Sequence, residues 1–242
     1  YPIIQAGMAG GATTPELIAN VSNAGGLGTL GAAYMEPDNI RNAVRAIRKL
    51  TDKPFAVNLF CVENAEEPHE EVKNTVKEEL LRIGKSLGVS DADIQFNAAD
   101  YFDEQFQVLI EEKVPVISTA FGLLPDDKVR QAKEIGMKIT AMITTVEEAI
   151  LAERSGADII IAQGSDAGGH RSTFDLTHHK NGADIGTFSL VPQVVDNVQI
   201  PVAAAGGVND GRSLAAALAL GASGVQIGTR FLSSEEAGIH KA

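Results

Sequence analysis

The sequence predicts an α/β fold, a (β/α)8 TIM barrel formed by one domain that spans residues 1–242. Short runs of β-branched residues alternate with amphipathic helical stretches, and this alternation is typical of a parallel sheet covered by helices. The strand candidates are Ile3–Ala6, Leu27–Leu30, Phe55–Phe60, Val114–Ala120, Lys138–Ile143, Asp158–Gln163, Pro201–Ala205 and Gly224–Phe231. Strands in this rhythm and number favour a closed barrel over an open doubly wound sheet.

Start and stop signals mark the helices between these strands. Thr14 and Thr145 each precede a helical pattern and are followed by an acidic residue, which is a typical N-terminal signal. Several helical patterns end at a glycine that can take the left-handed conformation, as at Gly156. The helix candidates are Thr14–Asn23, Pro37–Leu50, Asp126–Ile135, Thr145–Ser155 and Gly211–Leu220.

The segment from Cys61 to Lys113 is too long for one connection between strands. It contains the acidic run Glu63–Glu71 and then a helical pattern in VKNTVKEELLRIGKSLG. A second helical pattern, Asp103–Glu112, supplies the regular barrel helix. We therefore predict an extra helical insertion after the third strand. We interpret the acidic run as a solvated face or an extra helix over the barrel mouth, with a substrate lid as the alternative.

Charge and cysteine content exclude several classes of partner. The chain has 20 basic and 32 acidic residues, a formal net charge of −12, and no basic stripe, so we expect no nucleic-acid partner. No apolar run approaches the ~18–20 residues that cross a bilayer, so we expect no membrane span. The single cysteine, Cys61, precludes an internal disulfide, fits a cytoplasmic location and is interpreted as a half-buried thiol. No cluster has metal-ligand spacing, and the charge neither requires nor excludes a homodimer.

The two ends predict that the chain is part of a longer protein. It begins at Tyr1 directly in a strand pattern, without Met, and it ends at Ala242 in a helical pattern, EEAGIHKA. No secretory signal peptide is visible in the sequence.

Polar amides and small residues collect where the predicted strands end. The first strand ends in Gln5-Ala6-Gly7-Met8, the third strand carries Asn58, and the sixth ends at Gln163. Because ligands of parallel barrels bind at the C-terminal ends of the strands, we interpret this rim as a binding site. A purely structural barrel would not need these groups there.

The seventh and eighth strands carry a phosphate signal. Gly206 and Gly207 follow the seventh strand, where bare backbone N–H groups can approach an anion closely. The segment GTR, residues 228–230 near the end of the eighth strand, adds an exposed amide and a hydroxyl. Many barrels hold a phosphate between these two loops, so we predict phosphate binding here. Tight turns without a ligand are the alternative.

The most informative segment is AQGSDAGGHR, where the sixth strand passes into a glycine-rich loop. Gly164, Gly168 and Gly169 let the backbone lie against a flat ligand. Gln163 can donate and accept hydrogen bonds, which suits the mixed edge of a heterocycle. His170 then projects over this ligand and can exchange a proton near neutral pH, so we predict it as the catalytic residue.

Together these segments resemble the nitronate monooxygenases, formerly called 2-nitropropane dioxygenases, over essentially the whole chain. The matching stretches are YPIIQAGMAGG, SNAGGLGTLGA, VNLF, AQGSDAGGHRS, IPVAAAGGVNDGRSLAAALALGASGVQIGTRFL and SSEEAGIHKA. The resemblance implies a TIM barrel that binds FMN non-covalently. It also implies an activity that uses O2 to oxidise alkyl nitronates, such as propionate 3-nitronate, to carbonyl compounds and nitrite.

The resemblance further implies roles for individual residues. His170 matches the family's active-site histidine, and the amides of the pairs 206–207 and 228–229 would hold the phosphate of FMN. The predicted FMN-binding residues are Ala6, Gly7, Met8, Asn58, Gln163, Gly168, Gly169, Gly206, Gly207, Gln226, Ile227, Gly228 and Thr229. The chain departs from the family at Ser172, where many relatives have glycine. Family members also continue past Ala242 with residues that pack around the pocket mouth, so we expect that extension to be missing here.

In this interpretation a nitronate lies over the flavin with His170 beside its nitro group. Protonated His170 would offset the nitronate charge, whereas with a neutral nitroalkane it would remove the α-proton as a base.

Three alternatives stay open. FMN-dependent enoyl-acyl-carrier-protein reductases share the barrel and a similar GGH loop, although we expect an acid in the place of Gln163 there. A flavin-free sugar-phosphate aldolase or isomerase would use the same glycine phosphate site. Such a barrel needs a lysine or a carboxylate base at a strand end, and no lysine is so placed in the sequence. The third alternative is a flavin-binding protein without turnover.

Overall fold

The computed structural model describes residues 1–62, 68–89 and 100–240. Its strands are β1 (Ile3–Gln5), β2 (Gly28–Gly31), β3 (Phe55–Phe60), β4 (Val116–Ala120), β5 (Lys138–Ile143), β6 (Ile159–Gln163), β7 (Val202–Ala205) and β8 (Gly224–Ile227). They form one sheet in the order β1-β8-β7-β6-β5-β4-β3-β2, and every pair in it is parallel. The predicted (β/α)8 barrel is confirmed.

The barrel closes between β1 and β2, the two strands at the ends of this order. Ile4 and Leu27 form an isolated parallel bridge across this seam. The amide of Gln5 donates to the Leu27 carbonyl at 2.9 Å, and the Leu27 amide donates to the Ile3 carbonyl at 3.0 Å. The backbone ladder of the seam is therefore short.

The side chain of Gln5 extends this ladder. Its Oε1 accepts from the Thr29 amide at 3.0 Å, and its Nε2 donates to the Thr29 carbonyl at 3.2 Å and to the Ala6 carbonyl. The carboxamide thus takes the place of a second peptide group between β1 and β2. Gln5 is completely buried, so its amide belongs to the seam, although the sequence grouped it with the polar rim.

The helices lie in the connections between the strands. They are α1 (Pro15–Asn23), α2 (Pro37–Leu50), α3 (Glu70–Ser86), α4 (Phe102–Glu111), α5 (Asp126–Glu134), α6 (Val146–Arg154), α7 (Thr187–Val195), α8 (Gly211–Ala219) and α9 (Thr229–Leu232). Both predicted start signals are confirmed. Thr14 Oγ1 accepts from the Leu17 amide at 3.1 Å, and Thr145 forms a reciprocal capping box with Glu148.

Two predictions about the end of the chain are wrong. The eighth strand does not reach Phe231, because the backbone of Gly228 (φ −107°, ψ −77°) leaves the extended region and Thr229 begins α9. The helical pattern in EEAGIHKA forms no helix in its described part, since residues 233–240 form turns and bends. Residues 241–242 lie outside the described residues.

Helix α7 is not among the predicted helices. Pro192 lies inside it, and an internal proline argues against a helix because it removes a backbone donor. Burial of Leu190, Val191 and Val194 against the sheet compensates for this local defect.

The chain forms two compact units. One contains residues 1–62 and 101–242 and includes the barrel, and the other contains residues 63–100. The second unit includes α3, none of whose residues is buried. The predicted helical insertion after the third strand is confirmed by α3, and the second predicted helix of this segment corresponds to α4. Residues 63–67 of the acidic run lie outside the described residues.

Apolar side chains cover both faces of the sheet. Ile117 packs with Leu109 of α4, and Ile160 packs with Leu190 of α7, so one face of the strands meets the helices. Ile161 points to the opposite face and packs inside the barrel with Ala203. Because both faces are filled in this way, the polar rim at the carboxyl ends of the strands is the part of the barrel that can bind a ligand.

We predict that replacing Gln5 by leucine destabilises the barrel by about 2–4 kcal/mol, because both peptide groups of Thr29 lose their side-chain partner in a buried seam. Urea unfolding followed by circular dichroism measures this change. The matched control is Gln193→Leu on α7, where the exposed amide donates only to the Ser189 carbonyl. An unchanged urea midpoint for Gln5→Leu would show that the seam does not depend on this amide.

Candidate active site

A cavity of about 910 Å³ opens at the carboxyl ends of the barrel strands. This volume lies in the range of cofactor sites, roughly 300–1,000 Å³. All predicted site residues line it: Ala6, Gly7, Met8, Asn58, Gln163, Gly168, Gly169, His170, Gly206, Gly207, Gln226, Ile227, Gly228 and Thr229. Their shared location follows from the topology, since parallel strands deliver their carboxyl ends to one rim. The individual roles remain predictions.

Backbone amides without a protein acceptor lie on the β7–β8 side of the cavity. Within the described residues, the N–H groups of Gly206, Gly207, Gly228 and Thr229 donate to no protein atom. Gly206 (φ +120°) and Gly207 (φ +66°) have positive φ angles, which side chains rarely allow, so their amides stay uncovered. Such a group of amides is a ready anion site.

The loops after β6 and β8 approach each other across this anion site. A Cβ on Gly168 would lie 3.1 Å from the hydroxyl oxygen of Thr229. A Cβ on Gly206 would lie 2.5 Å from the hydroxyl oxygen of Thr187. Side chains at these glycines would therefore separate the loops, so the sequence keeps the backbone bare where they meet.

The Gln163 carboxamide holds the loop that follows β6. Its Nε2 donates to the His170 carbonyl at 2.8 Å, and its Oε1 accepts from the Ser172 amide at 2.8 Å. The side chain is buried, with 6% of its surface exposed. Both ends of the amide are therefore engaged with the protein, whereas the sequence interpretation assigned them to the edge of a heterocycle.

Arg171 closes the same loop from the other side. Its guanidinium donates to the carbonyls of Gln163 and Gly164 at 3.1 and 2.6 Å. These carbonyls lie where the strand ladder has ended, so the arginine satisfies acceptors that the sheet no longer pairs. The loop is thus fixed at its start and at its end.

Asp166 connects the middle of this loop to α7. Its Oδ2 accepts from the Thr187 amide at 2.8 Å, at the first residue of the helix. The hydrogen bonds from Thr187 hold the pKa of the Asp166 carboxyl below its usual range, with a smaller contribution from the charge of Arg171. A carboxylate at a helix N-terminus is favourable both as a cap and through the helix dipole.

His170 lies at the end of the loop with its imidazole exposed to the cavity. Its ring faces two aromatic rings, Phe121 with centroids 5.8 Å apart and Phe60 with centroids 6.3 Å apart. Neither ring nitrogen has a hydrogen-bond partner within the described residues. The imidazole can therefore exchange a proton with a ligand without first breaking a protein contact.

Buried amides line the inner part of the cavity. Asn58 Nδ2 donates to the carbonyl and the hydroxyl of Ser118, each at 3.3 Å. Gln226 is only 6% exposed, and its carboxamide has no partner within the described residues. Because its amide atoms are open to the cavity and not sealed in the core, they can bind a polar ligand there.

Several lining residues were not predicted from the sequence. They are chiefly Tyr34, Phe60, Ser118, Phe121, Met142 and Arg230. Most of them lie in the last residues of β3, β4 or β5 or just after β2 or β4, so the rule that placed the other residues at strand ends would also have found them. No lysine lines the cavity, and Asp166 is its one carboxylate residue within the part of the chain that the structure describes.

The described residues contain no group of three or more acidic, histidine or cysteine side chains that could hold a metal ion. Among the same residues, no helix combines the length and apolar character that a bilayer crossing requires.

Comparison with known proteins agrees with this geometry. The family model for nitronate monooxygenase matches residues 1–242. A probable nitronate monooxygenase of Staphylococcus saprophyticus is 46% identical over 238 residues, which are 98% of this chain and 66% of the relative. The chain therefore spans about two thirds of the length of this curated relative.

Two solved structures give the same picture. A nitroalkane oxidase from Streptomyces ansochromogenes superposes with a TM-score of 0.90 at 38% identity, covering 98% of this chain and 68% of that chain. FabK from Thermotoga maritima has a TM-score of 0.75, also at 38% identity, and covers 99% of this chain and 61% of that chain. The two proteins have the same sequence identity to this chain, but the oxidase has the higher TM-score.

We predict that Asp166→Asn lowers the free energy of unfolding at pH 7. The difference in this free energy between the variant and the wild type should become smaller as the pH falls. A lowered folded-state pKa gives a stabilisation that is fully present above the unfolded aspartate pKa, about 4, and is lost as the pH falls through the folded value. Urea unfolding between pH 7 and pH 3 measures this trend. Asp196→Asn, at the other end of α7, is the control, and equal effects of both substitutions at every pH would contradict the assignment.

Proposed function

The chain belongs to the nitronate monooxygenase family, and on this premise we propose that it is a flavin-dependent oxidoreductase that acts on nitro compounds. The proposed reaction oxidises alkyl nitronates, the class that includes propionate 3-nitronate, with O2 to a carbonyl compound and nitrite. The observation that carries this proposal is one cavity that holds both the β7–β8 amides without acceptors and the imidazole of His170.

FMN fits the residues that line the cavity. The amides of Gly206, Gly207, Gly228 and Thr229 supply donors for a phosphate. Gln226 supplies a buried amide for the edge of the ring system. A Cβ on Gly228 would already contact Ala6 at 3.6 Å and Met8 at 3.8 Å, so the bare glycine keeps side-chain atoms out of the cavity beside these residues. When bound, FMN supplies the redox centre between the nitronate and O2.

The protein's own contribution is to bind the nitronate and to manage its charge and protons. His170, held through its carbonyl by Gln163, presents its imidazole beside the bound substrate. In the protonated state it offsets the negative charge of a nitronate. In the neutral state it accepts the α-proton of a nitroalkane and so forms the nitronate within the site.

The remaining features of the proposal follow from the family. Residues 1–242 contain the FMN-binding barrel, and the other third of the curated relatives' length has no counterpart in this chain. We place the enzyme in the cytoplasm, in keeping with its single cysteine. Its partners are then a small nitro compound and O2.

An FMN-dependent enoyl-acyl-carrier-protein reductase is the second candidate, because the FabK structure superposes on 99% of this chain. Gln163 weighs against it, since an acid is expected at this position in those reductases. The two activities differ in their reductant. Rapid NADH oxidation with an enoyl thioester, without O2 uptake on nitronates, would establish the reductase instead.

We predict that Gly228→Val raises the Kd for FMN at least about tenfold, because the new side chain enters the space between Ala6 and Met8. Its φ of −107° is negative, so the substitution does not place a valine in the left-handed region. Quenching of flavin fluorescence on titration measures the Kd. Gly211→Val is the matched control, since a Cβ there meets nothing within 4 Å. An unchanged Kd for FMN in Gly228→Val would show that FMN does not bind beside Gly228.

We predict that His170→Asn lowers kcat for nitronate oxidation by about 10²-fold or more and leaves FMN bound. The asparagine cannot carry the proton that the imidazole holds. Oxygen uptake with ethyl nitronate measures kcat, and the visible spectrum reports the flavin. His178→Asn in the exposed loop is the control. Full turnover by flavin-loaded His170→Asn would remove this residue from the chemistry.

A further inference from the structure

We propose that Tyr34, Phe60 and Phe121 form an aromatic wall that binds the carbon chain of the substrate, so that the enzyme selects nitronates with an apolar chain of several carbons. The proposal rests on the proposed nitronate oxidation, because it assigns the reacting nitro group to His170 and the chain to the wall. The proposed reaction fixes the nitro group of the substrate but not the rest of the molecule, and the wall specifies that rest as an apolar chain.

The rings of the aromatic wall form a continuous surface that begins at His170. The ring of Phe121 lies 5.8 Å from the imidazole, and the ring of Phe60 lies 4.7 Å from that of Phe121. Tyr34 continues the series at 5.4 Å from Phe60. All of these contacts are edge-to-face, which is a favoured arrangement of aromatic pairs. A chain attached at His170 would therefore run along ring faces and edges.

The wall is apolar and accessible. Phe60 and Phe121 are half-buried, Tyr34 is 63% exposed, and all three line the cavity. Apart from His170, the charged residues that line the cavity are Asp166 and Arg230, which follow β6 and β8. Apolar surface exposed in a cavity gains free energy when an apolar ligand removes it from water. The wall therefore favours a hydrocarbon chain as its occupant.

The backbone of Phe121 has a strained conformation, and its ring lines the cavity as part of the wall. Its φ is +67°, in the left-handed region, which a bulky residue rarely adopts. Strain of this kind persists where the surroundings impose it, and it is concentrated at ligand sites. The ring belongs to none of the buried apolar clusters of the described residues, so packing of the core does not explain its position.

Ser172 is the residue that holds Phe121 in this conformation. Its hydroxyl oxygen accepts from the Phe121 amide at 2.9 Å and donates to the Met142 carbonyl at 3.3 Å. The hydroxyl is almost completely buried, since Ser172 is 1% exposed. Gly122 follows Phe121 in the sequence, and a Cβ on it would collide with the Cys61 carbonyl. The chain therefore passes tightly over the end of β3. Ser172 is thus a positioning residue.

Straight-chain alkanoates test the wall directly, because their planar carboxylate resembles the nitro group of a nitronate and they are not oxidised. Isothermal titration calorimetry of the FMN-loaded protein gives the Kd of each acid from acetate to hexanoate. We expect the Kd to fall about threefold to fourfold for each added methylene. A flat series would overturn the proposal.

Variants then locate the effect on the wall. Phe121→Ala should raise the Kd of hexanoate about tenfold and change that of acetate less than about twofold. Ser172→Ala should also raise the Kd of hexanoate. The control is Phe188→Ala, at an exposed position on α7, which should leave both Kd values unchanged. Equal weakening of acetate and hexanoate by Phe121→Ala would show a general structural effect and would overturn the assignment.

Nitronate turnover separates the failure of this inference from the failure of the proposed function. The wall predicts that kcat/KM rises from ethyl nitronate to hexyl nitronate and that Phe121→Ala removes this rise. Oxidation of both nitronates with equal kcat/KM would overturn the wall and leave the reaction intact. Absence of O2 uptake with every nitronate would overturn the reaction, whereas the alkanoate series tests the wall without turnover.

Discussion

The site depends most on one buried amide, the carboxamide of Gln163. It bonds the His170 carbonyl at one end and the Ser172 amide at the other, so a single side chain sets the distance between the end of β6 and the end of its loop. An amide bonded at both of its ends is held in place, because breaking either hydrogen bond would cost the free energy of a buried polar contact. The position of His170 is therefore established by the protein before any ligand binds. The same amide also places Ser172, from which the conformation of Phe121 follows.

The cavity has two chemically different sides. The loops after β7 and β8 present backbone amides that suit a phosphate, whereas the residues after β2, β3 and β4 present aromatic rings that suit hydrocarbon. His170 lies between them and can hold or release a proton. A long, flat, phosphorylated cofactor would reach from the amides toward His170, and a substrate would then occupy the aromatic side. The division assigns cofactor and substrate to different strands of one barrel.

Much of this arrangement could be predicted from the sequence, and its failures have physical causes. The strands Phe55–Phe60 and Lys138–Ile143 were predicted to the residue, because short, mainly apolar runs bounded by turn residues are a strong local signal. The site residues meet in one cavity because parallel topology alone brings strand ends together. The partners of Gln5 and Gln163 could not be predicted, since an amide bonds whatever the fold places beside it. The left-handed backbone of Phe121 could not be predicted either, because it opposes the residue's own preference and its amide bonds to Ser172, which is distant in the sequence.

A crystal structure of the protein with FMN tests the central claim most directly. The account predicts a phosphate within hydrogen-bond distance of the amides of Gly207 and Thr229, with the ring system extending toward His170 and away from the aromatic side. It also predicts that the hydrogen bonds of Gln163 to its own loop stay in place when the cofactor binds. A phosphate bound elsewhere on the barrel, or a Gln163 amide that leaves the loop to bind the flavin, would contradict it.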